Sequence, residues 1–188
     1  MFKPSSRLPR LLAATGLAVV TACPAFADST FDIFRDSWGV PHVYANDTYG
    51  LFSGFGYAVA QDRLFQMEMA RRSVRGEVAE VLGIEHLPYD IETRSKFDQA
   101  DIQKQLEALS ETERDILRGY AAGFNIWVER ALNDQEEHLP KQFKDFGFLP
   151  KPWTELDVAM IYVGTMAGRF SGYSTELCKC THTGRAAS

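Results

Sequence analysis

Leu156, Val158, Ala159, Met160, Ile161, Tyr162, Val163 and Met166 crowd into one short segment, and at helical spacing they point in almost every direction. A helix that is apolar nearly all round has to be covered on several sides. The segment predicts a helix from near Thr154, with Asp157 in its first turn. A chain of 188 residues holds one ordinary core. It offers only part of the cover this helix needs, so the isolated chain is expected to fold poorly. Composition points the same way. Aromatic residues make up 12%, with 13 Phe, which is more apolar surface than such a chain requires, and some of it is expected to face a partner.

The clearest second element runs from Ser110 to about Leu132. Ser110 and Glu113 make a capping box, and Ile116, Leu117, Tyr120, Phe124, Trp127, Val128, Ala131 and Leu132 recur at helical spacing. A third helix spans Tyr57 to Arg75, ends at Gly76, and is followed by a helical turn through Glu80 that stops at Gly83. Glu68 stands at i,i+3 and i,i+4 to Arg71 and Arg72, the spacing of a helix-surface charge cluster. Upstream, Thr30 to Arg35 and His42 to Ala45 read as two strands of a hairpin around Trp38-Gly39-Val40-Pro41. Pro140 to Pro152 reads as a loop. The fold class is mostly α with an N-terminal β-hairpin.

The first 27 residues read as a signal peptide. Lys3, Arg7 and Arg10 precede an apolar run from Leu11 to Ala22, and Ala25-Phe26-Ala27 has the small-x-small pattern of a cleavage site. The run is too short to span a membrane. The mature chain is expected to start at Asp28, which takes the net charge from −5 to −8 and disfavours nucleic acid as a partner. Val20-Thr21-Ala22-Cys23 also resembles a lipoprotein box, a rival reading of the same leader. After Glu176 the character changes: residues 177–188 have no periodicity and read as an atypical, disordered tail. The organisation is therefore 1–27 leader, 28–176 globular region and 177–188 tail.

The residues themselves display no active site. No serine sits in a Gly-x-Ser-x-Gly elbow, and there is no His-Glu-x-x-His. Asp62 and Glu68 fall on different helix faces, against a paired-carboxylate hydrolase. Gly54-Phe55-Gly56 lacks the third glycine of a dinucleotide loop and reads as a packing feature. His42 reads as a hydrogen-bonded structural histidine. Cys178, Cys180 and His182 are spaced too tightly for the usual zinc site. Pattern alone stops at a secreted, largely helical domain.

Two blocks go further. Arg35 to Ala45 (RDSWGVPHVYA) and Gly54 to Gly83 (GFGYAVAQDRLFQMEMARRSVRGEVAEVLG) resemble the penicillin acylase family of N-terminal-nucleophile hydrolases. LPKQF at Leu139 to Phe143, FGFLPKPW at Phe146 to Trp153 and VGTMAGRFS at Val163 to Ser171 narrow the resemblance to penicillin G acylases, over roughly Thr30 to Glu176. It implies a fragment of a four-layer αββα fold, and a periplasmic precursor (a zymogen) cut into a small and a large chain. The large chain would carry the N-terminal serine nucleophile, its α-amine base and the oxyanion donors. This chain matches the small-chain part, holds no catalytic residue and is expected to be inactive alone.

The resemblance further implies that Met166 and Phe170 line the acyl pocket, and that Arg169 gates it and steers the carboxylate of the amine half. Glu176 would be one ligand of a calcium ion held mostly by the large chain. The implied substrate is an arylacetyl amide, penicillin G giving 6-aminopenicillanic acid and phenylacetate, in a context of antibiotic biosynthesis or resistance. Gly168 and Gly172-Tyr173 depart locally from the pattern beside the pocket, and the end of the chain after Glu176 reads as a truncation or frameshift. The alternatives are a stand-alone secreted binding module, an inactive remnant, or an acylase of other amides such as acyl-homoserine lactones.

Overall fold

The computed structural model describes residues 31–168. Strands β1 (Phe31–Arg35) and β2 (Pro41–Ala45) pair antiparallel, with Phe31 opposite Ala45, Ile33 opposite Val43 and Arg35 opposite Pro41. Their turn is built by Asp36, whose Oδ1 accepts the N–H groups of Trp38 and Val40 at 2.9 and 3.0 Å, and by Gly39 at φ +78°. Those donors, with His42 behind them, hold the Asp36 carboxyl below its usual range. His42 Nε2 lies 3.3 Å from Asp36 Oδ2, consistent with its reading as a structural histidine.

Helix α1 (Thr48–Arg75) begins nine residues earlier than the periodicity predicts. Asp47 caps it, accepting the Gly50 N–H at 2.6 Å. The glycines that hide the start, poor helix formers in isolation, are there for proximity. A Cβ on Gly54 would come within 2.4 Å of Val43 in the hairpin, and one on Gly56 within 2.1 Å of the Tyr120 carbonyl. Gly54-Phe55-Gly56 is thus a packing feature, as its residues suggest. The helix kinks at Arg63, beside the ion pair of Asp62 with Arg35 at 2.8 Å that ties it to the hairpin. Gly76, at φ +64°, closes it in the left-handed conformation.

Short helix α2 (Ala79–Leu82) and one 3-10 turn (Ile84–His86) lead into α3 (Leu87–Lys96) and α4 (Gln99–Glu107), two helices the sequence reading left undescribed. Asp90 of α3 is buried and accepts the N–H groups of Val78 and Ala79, fixing that corner. Helix α5 (Glu111–Asn133) matches its expectation, with both halves of the Ser110–Glu113 capping box formed. It crosses α1 at close range: a Cβ on Gly123 would lie 1.7 Å from the Ser53 carbonyl oxygen, and one on Gly119 2.4 Å from that of Tyr49. Two short helices follow, α6 (Gln135–His138) and α7 (Lys141–Phe146). The stretch read as a Pro140 to Pro152 loop therefore holds a helix, seeded by Phe143, which is buried against Phe65 and Phe148.

The last element, α8, is helical over residues 155–168. Its Ala159 and Met160 are buried with Ile102 and Leu106 of α4, while Leu64, Phe124, Trp127, Val128 and Trp153 form the main core between α1 and α5. Cover is incomplete, because Tyr162 stays 63% exposed and Met166 37%. Among the described residues no helix is long and apolar enough to cross a membrane.

The charge cluster on α1 overturns its surface reading. Glu68 is fully buried, and Arg71 and Arg72 nearly so. Arg71 grips Glu68 with two hydrogen bonds, at 3.0 and 2.7 Å, and Arg72 Nε lies 3.2 Å away. Trp153 covers the group and turns its indole N–H toward Glu68 at 3.4 Å. Arg72 continues to Glu80 at 3.1 Å and lies over the Phe148 ring.

Two outcomes check this packing. Gly123→Ala forces α1 and α5 apart and is expected to lower stability by about 1–3 kcal/mol, read as an earlier thermal midpoint; an unchanged midpoint would deny the close crossing. Glu68→Ala leaves two guanidinium groups buried without their carboxylate and is expected to cost about 3–5 kcal/mol in urea unfolding. The exposed Lys141–Asp145 pair serves as control: Lys141→Ala should leave the midpoint where it was.

Candidate binding cleft

α1, α5 and α8 do not close on one another at one end. Phe52 and Phe55 project from α1, Ile116, Leu117 and Tyr120 from α5, and Val158, Ile161, Tyr162, Thr165 and Met166 from α8. Together with Trp153 and Met67 they line a cleft of about 340 Å³. The register follows from the helical period: Phe52 and Phe55 are i,i+3 on α1, Tyr162 and Met166 i,i+4 on α8. Phe55 meets Tyr120 edge to face, ring centres 5.5 Å apart at 72°, and Trp153 stacks on Phe124 at 4.0 Å behind them.

Among the described residues no charged side chain lines the cleft. Its polar atoms are the hydroxyls of Tyr120, Tyr162 and Thr165. Burial pushes the Tyr120 phenol up to about 12, so it stays a neutral hydroxyl at any physiological pH. Such a wall suits apolar, aromatic or alkyl groups.

Trp153, just ahead of α8, is held from two sides. Asn125 of α5 exchanges two hydrogen bonds with its backbone, donating to its carbonyl at 2.8 Å and accepting its N–H at 2.7 Å. The charged cluster of α1 holds the indole from behind. The aromatic rings of the cleft are therefore fixed by polar contacts outside it.

Of the four residues singled out from the sequence, Met166 lies at the rim of this cleft. Arg169, Phe170 and Glu176 fall outside the described residues, as do Cys178, Cys180 and His182. Of the other lining residues, Tyr120 reads as core of its helix and Phe55 as part of a packing feature, and Phe52 and Trp153 carry no local signal of a site. Among the described residues, one group has a metal-like donor set, Asp134, Glu137 and His138 within 4.8 Å of one another. Two of its three residues are already engaged: Asp134 accepts the Glu137 N–H as the cap of α6, and Arg130 Nε donates to His138 Nε2 at 3.1 Å. That cap does not fit the several free oxygens calcium needs.

Comparison with known proteins places these features. The family model for penicillin amidase matches residues 30–184, running past Glu176. Penicillin G acylase of Escherichia coli is 53% identical over 157 residues, 82% of this chain and 19% of that protein. An acyl-homoserine lactone acylase of Pseudomonas fluorescens is 31% identical over 144 residues, 70% of this chain and 18% of its own length. The solved thermostable penicillin G acylase from Alcaligenes faecalis superposes with a TM-score of 0.72 at 53% identity, over 77% of this chain and 75% of that one. This chain thus spans about a fifth of the length of the curated relatives it matches. With the family model matching residues 30–184 and 53% identity over 82% of its length, the chain belongs to the penicillin amidase family.

Proposed function

We propose that this chain is the small-chain part of an exported penicillin acylase-type amide hydrolase, and that the cleft contributes the wall that receives the acyl group. The observation carrying this reading is the uncharged, aromatic-walled space of about 340 Å³ with Met166 at its rim. Phe170 would add to that wall, and Arg169 would meet the carboxylate of the amine half. The side chain of the acyl group does not react; burying it supplies binding energy that holds the amide carbonyl in place for attack.

The chemistry would come from a large chain. Its N-terminal serine attacks the amide carbonyl, its α-amine, with a pKa of about 7.7–8, takes the proton, and the amine half leaves. Water then releases the acid. From penicillin G the products are 6-aminopenicillanic acid and phenylacetate, which would place the protein in antibiotic metabolism or resistance. Calcium would be shared, with Glu176 as this chain's ligand and the remaining oxygens from the large chain. The leader would deliver the precursor, a zymogen until cut, to the periplasm. A second reading, hydrolysis of acyl-homoserine lactones, is favoured by the 31% identical relative and by a wall that would accept an alkyl chain equally well.

Assembly with a penicillin G acylase large chain tests this. The chain alone should release no phenylacetate from a chromogenic phenylacetyl amide, and the assembled pair should release it steadily. Met166→Ala is expected to raise KM for that amide about tenfold with kcat nearly unchanged. An unaltered KM would remove Met166 from the pocket, and faster turnover of long alkyl amides would favour the second reading. Export is checked separately by mass spectrometry of the secreted chain, which should begin at Asp28; a diacylated Cys23 would instead indicate a lipid anchor.

A further inference from the structure

One carboxylate joins the start of α8 to its orientation. Asp157 Oδ2 accepts the N–H and the hydroxyl of Thr154, both at 2.8 Å, which closes the first turn of the helix. Its Oδ1 points the other way, toward α1. There Arg75 donates to it at 3.0 Å, and Arg71 lies 3.5 Å from it. The side chain is only 5% exposed. The same residue therefore sets where α8 begins and which way round it faces α1.

Apolar contacts along α8 cannot fix that rotation so sharply, because the hydrophobic effect is non-directional while charged hydrogen bonds are not. Met166 lies nine residues further on, about 13 Å along the axis. A helix transmits rotation from end to end. With side chains about 5–6 Å from the axis, a turn of roughly 20° at Asp157 carries the tip of Met166 about 2 Å. That displacement is enough to spoil one wall of an aromatic pocket.

We propose that Asp157 is the positioning residue of the acyl pocket: it sets the rotation of α8, and through it the place of Met166 and the preference among acyl groups. This rests on the reading of the cleft given above. Glu68 has a different part, since it neutralises the arginines and touches Trp153, ahead of the helix.

The test uses the chain assembled with a large chain, and compares Asp157→Asn and Arg75→Gln with the unaltered protein. Phenylacetyl and hexanoyl amides of one chromogenic amine are the substrates. For both variants KM for the phenylacetyl amide is expected to rise about tenfold with kcat within about twofold, so the phenylacetyl-to-hexanoyl ratio of kcat/KM falls. In the same samples, labelled with ¹³C at the methionine methyls, the Met166 resonance (assigned through Met166→Leu) should shift. A merely destabilised protein loses active fraction, which lowers apparent kcat for both amides alike and leaves KM, the ratio and the Met166 resonance unchanged; that result overturns the proposal. Should Asp157→Asn fail to assemble, Arg75→Gln decides, because Arg75 is 22% exposed and its loss leaves Arg71 in place. If the unaltered pair hydrolyses no amide, the functional reading falls, and the Met166 resonance in the two variants still decides whether Asp157 sets its position.

Discussion

Three guanidinium groups, those of Arg71, Arg72 and Arg75, crowd the end of α1, and the two most buried carboxylates around them are Glu68 and Asp157. Removing so many charges from water is costly unless each finds a partner in good geometry. The molecule meets that demand with groups from other elements, and so the demand organises them. Trp153 closes over Glu68, Asp157 brings α8 against α1, and Glu80 holds the turn beyond Gly76. Desolvation would favour a neutral Arg71, yet its contacts with Glu68 and Asp157 outweigh burial and raise its affinity for the proton.

The second constraint is distance. Ser53, Gly56, Gly119 and Gly123 let the backbones of α1 and α5 approach closely, and that approach brings Phe55 and Tyr120 to edge-to-face contact at the mouth of the cleft. Phe52 and Phe55, and Ile116, Leu117 and Tyr120, alternate with these small residues along the two helices, and α8 fills part of the space beside them. The cleft is thus the geometric remainder of one tight crossing and one anchored helix. Its binding character follows from having its charges behind the aromatic wall and not within it.

Elements whose signals are local were legible in the sequence. The Ser110–Glu113 box and the apolar period after it locate α5, and Gly76 marks the end of α1. The first turns of α1 were not, because glycines chosen for contact with distant residues lower the local helix signal. Glu68, Arg71 and Arg72 have the same spacing on a surface or in a core. What buries them, Trp153 and Asp157, lies more than eighty residues further along the chain. The cleft is hidden for the same reason. Its rings come from three segments, each of which reads as ordinary core, and Met166 stood out only through family resemblance.

That separation in sequence bears on the order in which the chain acquires its structure. The hairpin, α1 and α5 are all present once residue 133 has been made, and α1 touches the other two directly, although Leu139, Phe143 and Trp153 complete the core between the helices. The end of α1 cannot finish with them. Until Trp153 and Asp157 arrive, its arginines have only Glu68, Glu77 and Glu80 for company and remain in water. The loop that must then close is long, and its entropy is met before the buried pairs form. Helix α8 is therefore the keystone of this region: it turns an open arrangement of charges into a closed core.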